Sequence, residues 1–522
     1  MNSAASCGID TGNLTIESGV LTATSSEAKS EYAESYGIES GGEHITINGG
    51  TVTATGGTAT GTDVAFGSGI EAYGVLTISS GTLKATGGNA TGDYAESYGI
   101  ESDDKVTVSG GTVTATAGVT RCGDSHAYSS GIYSSDLTIT GGEVTAVSDL
   151  AVDESGGSDA YSYGIEVYDD VTIGNASVYA RGSQANYSAG IYIDGRLTLE
   201  SSSVQALGGR AVNHSDPEAA ASSGITAYGV TVNGGEVTAE VGLSEHGTAD
   251  GIYSYGDIEI NGGGVTATGA SYTLDGVAPQ DSNGIYSETG DITVTGEGTV
   301  VNANGGCADN RIAAIVAQAG DIVIQGGSVR ADGAYGAYTS YEGTGTGLSA
   351  LQDDDGTGGN IIVSGGTLAA TGYTDSLYYE SELIARPEGA GITVGVLDDW
   401  IVDEDTWALD WDKMGAAAAG AEIVGSPFTE ETVIARAFTG GKLYFVATED
   451  PTDPNDPNDP TDPNDPTDPN DPNDPTGGTD KDDDNLQTGV ESNLTLCFAL
   501  LFVSGTAAAA AAGYGRRKKR KQ

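Results

Sequence analysis

Cations are scarce in this chain: 20 Lys and Arg stand against 75 Asp and Glu, for a formal net charge of −55. Such a surface repels phosphate backbones and anionic membranes, which argues against nucleic-acid binding. Histidine and cysteine are as rare, with four of each. Cys7, Cys122, Cys307 and Cys497 stand far apart without Cys-x-x-Cys spacing. They make neither a zinc signature nor a dense disulfide framework and read as incidental thiols. His44, His126, His214 and His246 fall in no fixed column. There is no His-Glu-x-x-His, Gly-x-Ser-x-Gly or phosphate-loop pattern. A hydrolase needs converging carboxylates with a histidine or cation beside them. The acidic pairs Asp103-Asp104, Asp169-Asp170, Asp353-Asp354-Asp355 and Asp398-Asp399 lack such company, so the chain is expected not to be an enzyme.

Helical stretches rich in Leu, Lys and Arg are nearly absent too. What is present is glycine, 82 residues of it, with Thr, Ser, Val, Ile and Ala. That balance suits short strands joined by tight turns. One unit recurs to about position 395: Gly-Ile, four or five residues, an apolar-Thr-apolar triplet, a Gly pair, then Val-Thr-Ala-Thr-Gly. Its opening glycines are Gly8, Gly37, Gly69, Gly99, Gly131, Gly164, Gly190, Gly224, Gly251 and Gly284. Degenerate copies follow near Ile315 and Leu348, with a last Gly-Ile at Gly391.

Each unit holds three period-2 stretches. Leu76 and Ile78 share a face that Thr77 does not, and Val52-Thr53-Ala54 alternates likewise. Ile38, Ile70, Ile100 and Ile132 supply the inward residue of the first stretch. Gly pairs such as Gly49-Gly50 and Gly141-Gly142 permit the positive φ of a sharp corner between second and third stretches. One unit cannot bury its apolar face alone, but stacked units can. Roughly 30 residues with three strands is one coil of a parallel β-helix, and the predicted fold class is all-β. About a dozen coils at ~4.8 Å each make a rod on the order of 60 Å long. The stretch after the third strand (56–68, 118–130, 206–223) is expected to be loop, where specificity resides. Propeller blades and leucine-rich repeats fit this pattern less well.

Past the repeats of 1–395, residues 396–448 carry Trp400, Trp407 and Trp411 and a strand-like Lys442–Val446, and read as a cap over the last coil, or else as a small binding subsite built around the tryptophans. Residues 449–484 repeat Asp-Pro-Asn or Asp-Pro-Thr, an extended charged spacer of ~100 Å at about 3.1 Å per residue. Residues 485–522 bring Asn485-Leu486-Gln487-Thr488-Gly489, an apolar run able to span a bilayer, and the basic cluster Arg516–Lys521. This order resembles the cell-wall sorting signal of Gram-positive surface proteins. The resemblance implies extracellular display and transpeptidase cleavage between Thr488 and Gly489, linking Thr488 to peptidoglycan. Leu486 stands where that family has proline, and without cleavage the span itself retains the rod at the membrane. An exported chain should open with a basic and apolar leader, whereas Met1–Ser6 leads directly into the first repeat. The start is therefore read as truncated.

The residue after each Gly-Ile should point outward. Down the stack it is Asp10, Glu39, Glu71, Glu101, Tyr133, Glu166, Tyr192, Thr226, Tyr253 and Tyr286. Carboxylates at about 4.8 Å in four successive coils repel one another. Either solvent screens them, or calcium binds at Glu39, Glu71 and Glu101 with Asp103 and Asp104. Tyr133, Tyr192, Tyr253 and Tyr286 offer regularly spaced aromatic faces for sugar rings, or stack on one another between coils. Tyr36, Tyr98 and Tyr163 flank the same Gly-Ile.

Units such as Gly256-Asp257-Ile258-Glu259-Ile260 with Val265-Thr266-Ala267-Thr268-Gly269, and the closing Ser426-Pro427-Phe428-Thr429-Glu430, resemble the parallel β-helix carbohydrate-binding domain of clostridial surface proteins over roughly 8–448. The resemblance implies a right-handed parallel β-helix that binds plant polysaccharide such as cellulose or polygalacturonate, with calcium as companion and no catalysis. The expectation is a monomeric, surface-displayed polysaccharide-binding rod. A structural adhesin with a protein partner is the alternative.

Overall fold

The computed structural model describes residues 2–397, except 158–159, 214–215, 217–218, 243, 271–277, 334–343, 354, 373–374 and 387–390, and then 422–423, 430–434 and 442–448. Every element among them is a β-strand. Up to Leu383–Ala385 the strands pair in parallel with their equivalents one repeat away, so the first, second and third stretches of the unit become three sheets of a right-handed parallel β-helix. Ser3–Thr11, Ala28–Ser40, Ala59–Ala72, Tyr94–Val108 and Ala127–Ile139 begin the first sheet. It continues through Ala160–Val167, Tyr187–Ile193, Ala221–Ala227, Thr248–Ser254 and Asp281–Ser287 to Asp375–Tyr379.

The register is that of the repeat. Ile38 pairs with Ile70, Ile70 with Ile100, and Ile100 with Ile132, and the row runs on through Ile165, Ile191, Ile225, Ile252 and Ile285, each with no exposed surface. Leu76 and Ile78 of the second sheet and Leu83 and Ala85 of the third close the same core. Full burial of each large aliphatic side chain stabilises by about 1.5–3 kcal/mol, so the stacked rows supply the main driving force.

The second glycine of each pair takes the expected left-handed corner, with φ of 80° at Gly50, 83° at Gly111 and 90° at Gly142. Where a repeat lacks the pair, Asn175 and Ser201 hold φ of 50°. The Gly of Gly-Ile does something different. A Cβ on Gly99 would lie 2.4 Å from Thr116 N and 2.6 Å from Gly131 O. Only glycine lets the first sheet press its backbone against the end of the third.

The segments expected as loops are in part strand. Ala90–Gly92 pairs with Ala59–Thr60 of the preceding coil and with Thr120–Cys122 of the next, and Thr120–Cys122 pairs with Ala151–Asp153. This extra ladder packs an alanine row, Ala33, Ala59, Ala65, Ala90 and Ala95, into a second narrow core. Serines two residues before the Gly-Ile tie it down: Ser97 Oγ accepts from Gly118 N at 2.7 Å and Ser188 Oγ from Gly209 N at 2.9 Å. Cys122 and Cys307 are buried and Cys7 is half-buried.

At the far end Lys442–Thr448 pairs antiparallel with Thr367–Thr371 and with Gly391–Leu397, which ends the parallel stacking there. The three tryptophans, the spacer 449–484 and the sorting segment with Leu486, Gln487, Thr488 and Gly489 lie outside the described residues. Among the described residues no helix is long and apolar enough to cross a membrane, and the apolar run after Leu494 is not among them.

Candidate functional site: a groove along the first sheet

Gly and Ile of each repeat both face inward, so the alternation of the first sheet is interrupted there. The residues just before the Gly and just after the Ile face outward on either side of an inward bend. Side chains flanking such a bend converge, and the outer face of the sheet becomes a groove. Burial records this: Tyr98 has no exposed surface, Glu71 and Glu101 are 2% exposed and Tyr133 is 9% exposed, although none belongs to the aliphatic core.

The carboxylate column therefore forms in the expected register, with Asp10 beside Glu39, Glu39 beside Glu71 and Glu71 beside Glu101, but not on an open face. Two of its members take partners from the other side of the groove. Cys7 Sγ donates to Glu39 at 2.8 Å and Ser68 Oγ to Glu101 at 2.9 Å. Burial and the Glu39 carboxylate push the Cys7 thiol up to about 12. Asp103 and Asp104 are exposed and lie where the register slips between Ser102 and Lys105. Among the described residues no group of three or more His, Cys, Asp or Glu side chains is placed to hold a metal ion.

Tyrosines fill the middle of the groove. Tyr128 stacks on Tyr161 at 4.7 Å and Tyr161 on Tyr187 at 5.1 Å. Tyr98 stacks on Tyr133 at 4.9 Å, and Tyr163 on Tyr192 at 4.8 Å. Tyr133 is thus walled in by Tyr98 and Tyr168 and offers no open face, contrary to its expected role. Tyr253 stacks on Tyr286 at 5.3 Å, two coils above Tyr192.

Between these stacks the groove opens. Two groove positions turn small in one coil, Tyr187 being followed up the stack by Ala221 and Tyr192 by Thr226, while the position between them stays small, with Ala189 followed by Ser223. The result is a cavity of about 250 Å³ lined by Tyr192, Tyr253, Tyr286, Asp250, Asn283 and Arg311 among others. Three of the four tyrosines singled out in the sequence meet here.

The cavity also gathers charge that the sequence left scattered. Asp250, Asp281, Glu288 and Arg311 come from three successive coils. Asn283 Nδ2 donates to Asp250 Oδ1 at 2.7 Å. Burial raises the Asp250 pKa to about 7, opposed by the Asn283 hydrogen bond and the Arg311 charge. Arg311 lies 3.2 Å from Asp281, donates to Gln318 Oε1 at 3.0 Å and sits 5.4 Å from the centre of the Tyr286 ring. Burial lifts the Tyr286 hydroxyl to about 12 despite Arg311. Tyr253 donates to Glu288 and is raised further, chiefly by burial. The signal that could have found this site is the run Ala221-Ser222-Ser223-Gly224-Ile225-Thr226. It is the one copy from Tyr98 to Tyr286 in which both residues flanking Gly-Ile are small and uncharged.

These features define a parallel β-helix protein with an aromatic and acidic cavity on its first sheet. Residues 45–70, 76–100 and 106–132, three consecutive coils, match the family model described as Beta helix repeat. No curated protein and no solved structure matches the chain.

Proposed function

We propose that the chain is a surface-displayed, polysaccharide-binding β-helix that holds glycan in the groove of its first sheet without cleaving it. The observation that carries this reading is the cavity where Tyr192, Tyr253 and Tyr286 meet Asp250, Asn283 and Arg311. Aromatic rings match the apolar faces of pyranoses, while carboxylates and amides take up their hydroxyls. The acidic spacer 449–484 would hold the rod away from the envelope, and the segment 485–522 would retain it there through the membrane or through Thr488. This reading rests on the cavity and not on calcium at the carboxylate column. The test is retention of the full chain on a panel of insoluble polysaccharides. Retention on at least one, competed by its soluble oligosaccharide, upholds the reading. A folded chain retained by none points instead to an adhesin for a protein partner.

One observation favours a second reading. Asp250 shares the cavity with Asp281 and Glu288, and its proton is held to about pH 7. A carboxylic acid protonated near neutrality is what general-acid cleavage of a glycosidic bond requires. New reducing ends released from a retained polysaccharide, and abolished by Asp250→Asn, would establish cleavage. Their absence leaves binding alone.

A further inference from the structure

Over four coils, from Tyr192 to Tyr286, the outward column of the first sheet is a ladder of aromatic rungs with one rung missing. Tyr192, Thr226, Tyr253 and Tyr286 occupy equivalent positions in four successive coils. Below the gap Tyr192 is backed by Tyr163, stacked at 4.8 Å with ring planes 16° apart. Above it Tyr253 is backed by Tyr286, stacked at 5.3 Å with planes 13° apart. The stacked separations match the coil spacing, so these rings lie across the rod axis like the coils themselves. Resting on the reading of the groove as a glycan site, we propose that the space over Thr226 is a slot for a single neutral pyranose residue, sandwiched between Tyr192 and Tyr253.

The dimensions select this occupant. Two coils separate the walls by about 9.6 Å at the spacing of paired strands. A flat ring in contact on both faces needs only about 7–8 Å, from two carbon–carbon contacts. The remaining gap of roughly 2 Å accommodates the pucker and axial hydrogens of a chair, which an aromatic ring lacks. The cavity, at about 250 Å³, lies below the range of about 300–1,000 Å³ that houses drug-sized ligands. It suits one sugar unit of a chain running along the groove.

The polar lining points the same way. Ser223 and Thr226 share a hydroxyl–hydroxyl hydrogen bond at the back of the slot. Asn283 is 1% exposed, and among the described residues its Oδ1 has no hydrogen-bond partner. Neighbouring Asp250 accepts from the other end of the same amide, and the pair forms a polar wall of the slot. Charge sets the class of sugar. Arg311 is the cation lining the slot, and it is already engaged by Asp281, Gln318 and the Tyr286 ring. A uronate carboxylate would therefore meet Asp250, Asp281 and Glu288 without a free counter-charge.

Thr226→Tyr tests the slot by restoring the missing rung. The side chain would join the stacks on either side, so the variant should melt no lower than wild type. Calorimetric titration of the full chain with neutral hexasaccharides of glucose, mannose and galactose should show binding to at least one of them. Thr226→Tyr should weaken that binding at least tenfold, and Tyr253→Leu, which removes one wall, should do so independently. Hexagalacturonate should bind at least tenfold more weakly than the best neutral ligand. Undiminished binding by folded Thr226→Tyr overturns the slot while leaving glycan binding in place. Equal binding of hexagalacturonate overturns the neutral class alone. If wild type binds no hexasaccharide and no polysaccharide, the glycan reading falls and takes the slot with it.

Discussion

Asp250→Asn is the sharpest probe of the cavity's electrostatics. In the folded chain the carboxyl keeps its proton up to about pH 7, against an ordinary value of 3.8. The folded state thus holds the proton more tightly than the unfolded chain. Stability is accordingly lost as pH rises from the unfolded value through the folded one, and the loss is complete above about 7. A difference of about 3 pH units, at about 1.4 kcal/mol per unit, comes to about 4 kcal/mol. Asp250 is 3% exposed, so solvent screening removes little of this. The amide is nearly isosteric and cannot ionise, so the variant is freed of that cost. Urea denaturation should show Asp250→Asn more stable than wild type by up to about 4 kcal/mol at pH 8, and nearly equal to it at pH 4. A difference that is the same at both pH values would refute the reasoning, since it would come from packing or hydrogen bonding and not from the proton.

The bend of the first sheet rests on glycine, and Gly99→Ala should destabilise by about 1–3 kcal/mol or more through backbone overlap with Thr116 and Gly131. Gly41→Ala, where the added Cβ meets nothing within 4 Å, should stay within about 0.5 kcal/mol of wild type in the same melts. In the aliphatic ladder, Ile132→Ala should cost about 2–5 kcal/mol, because Ile132 is fully buried between Ile100 and Ile165. A loss under about 1 kcal/mol would mean that the stack relaxes into the void.

The coil was legible because its determinants are local and repeated. Val52 and Ala54, or Leu76 and Ile78, declare their shared face within three residues. Gly50 and Gly142 mark corners that need positive φ, as observed. The Ile38–Ile70–Ile100–Ile132 row then follows from stacking the repeats in register. The groove was not legible, because it depends on a contact between two different stretches. Nothing in Gly-Ile reveals that this Gly abuts Thr116 across the core, so the residues after Ile were expected on an open face. Glu101 and Tyr133 lie instead in a crease. The cavity's chemistry was missed for a related reason. Asp250 stands one residue before its Gly-Ile, whereas Asp281 and Arg311 share a column three residues before theirs, the latter in a coil where Ala314 replaces the glycine, so the three are not displayed together. The tyrosines at 192, 253 and 286 were found because they do share a column. The Thr226 between them reads as a mere interruption until the rings on either side are seen to stack.

The central claim is that glycan sits in the groove between Tyr192 and Tyr286, and hydroxyl-radical footprinting of the full chain tests it most directly. Tyr73, 42% exposed and far down the rod, serves as the internal control. With a retained polysaccharide present, oxidation of Tyr192, Tyr253 and Tyr286 should fall severalfold while that of Tyr73 is unchanged. Retention of the polysaccharide with all four tyrosines oxidised as in its absence would place the binding surface elsewhere and contradict the account.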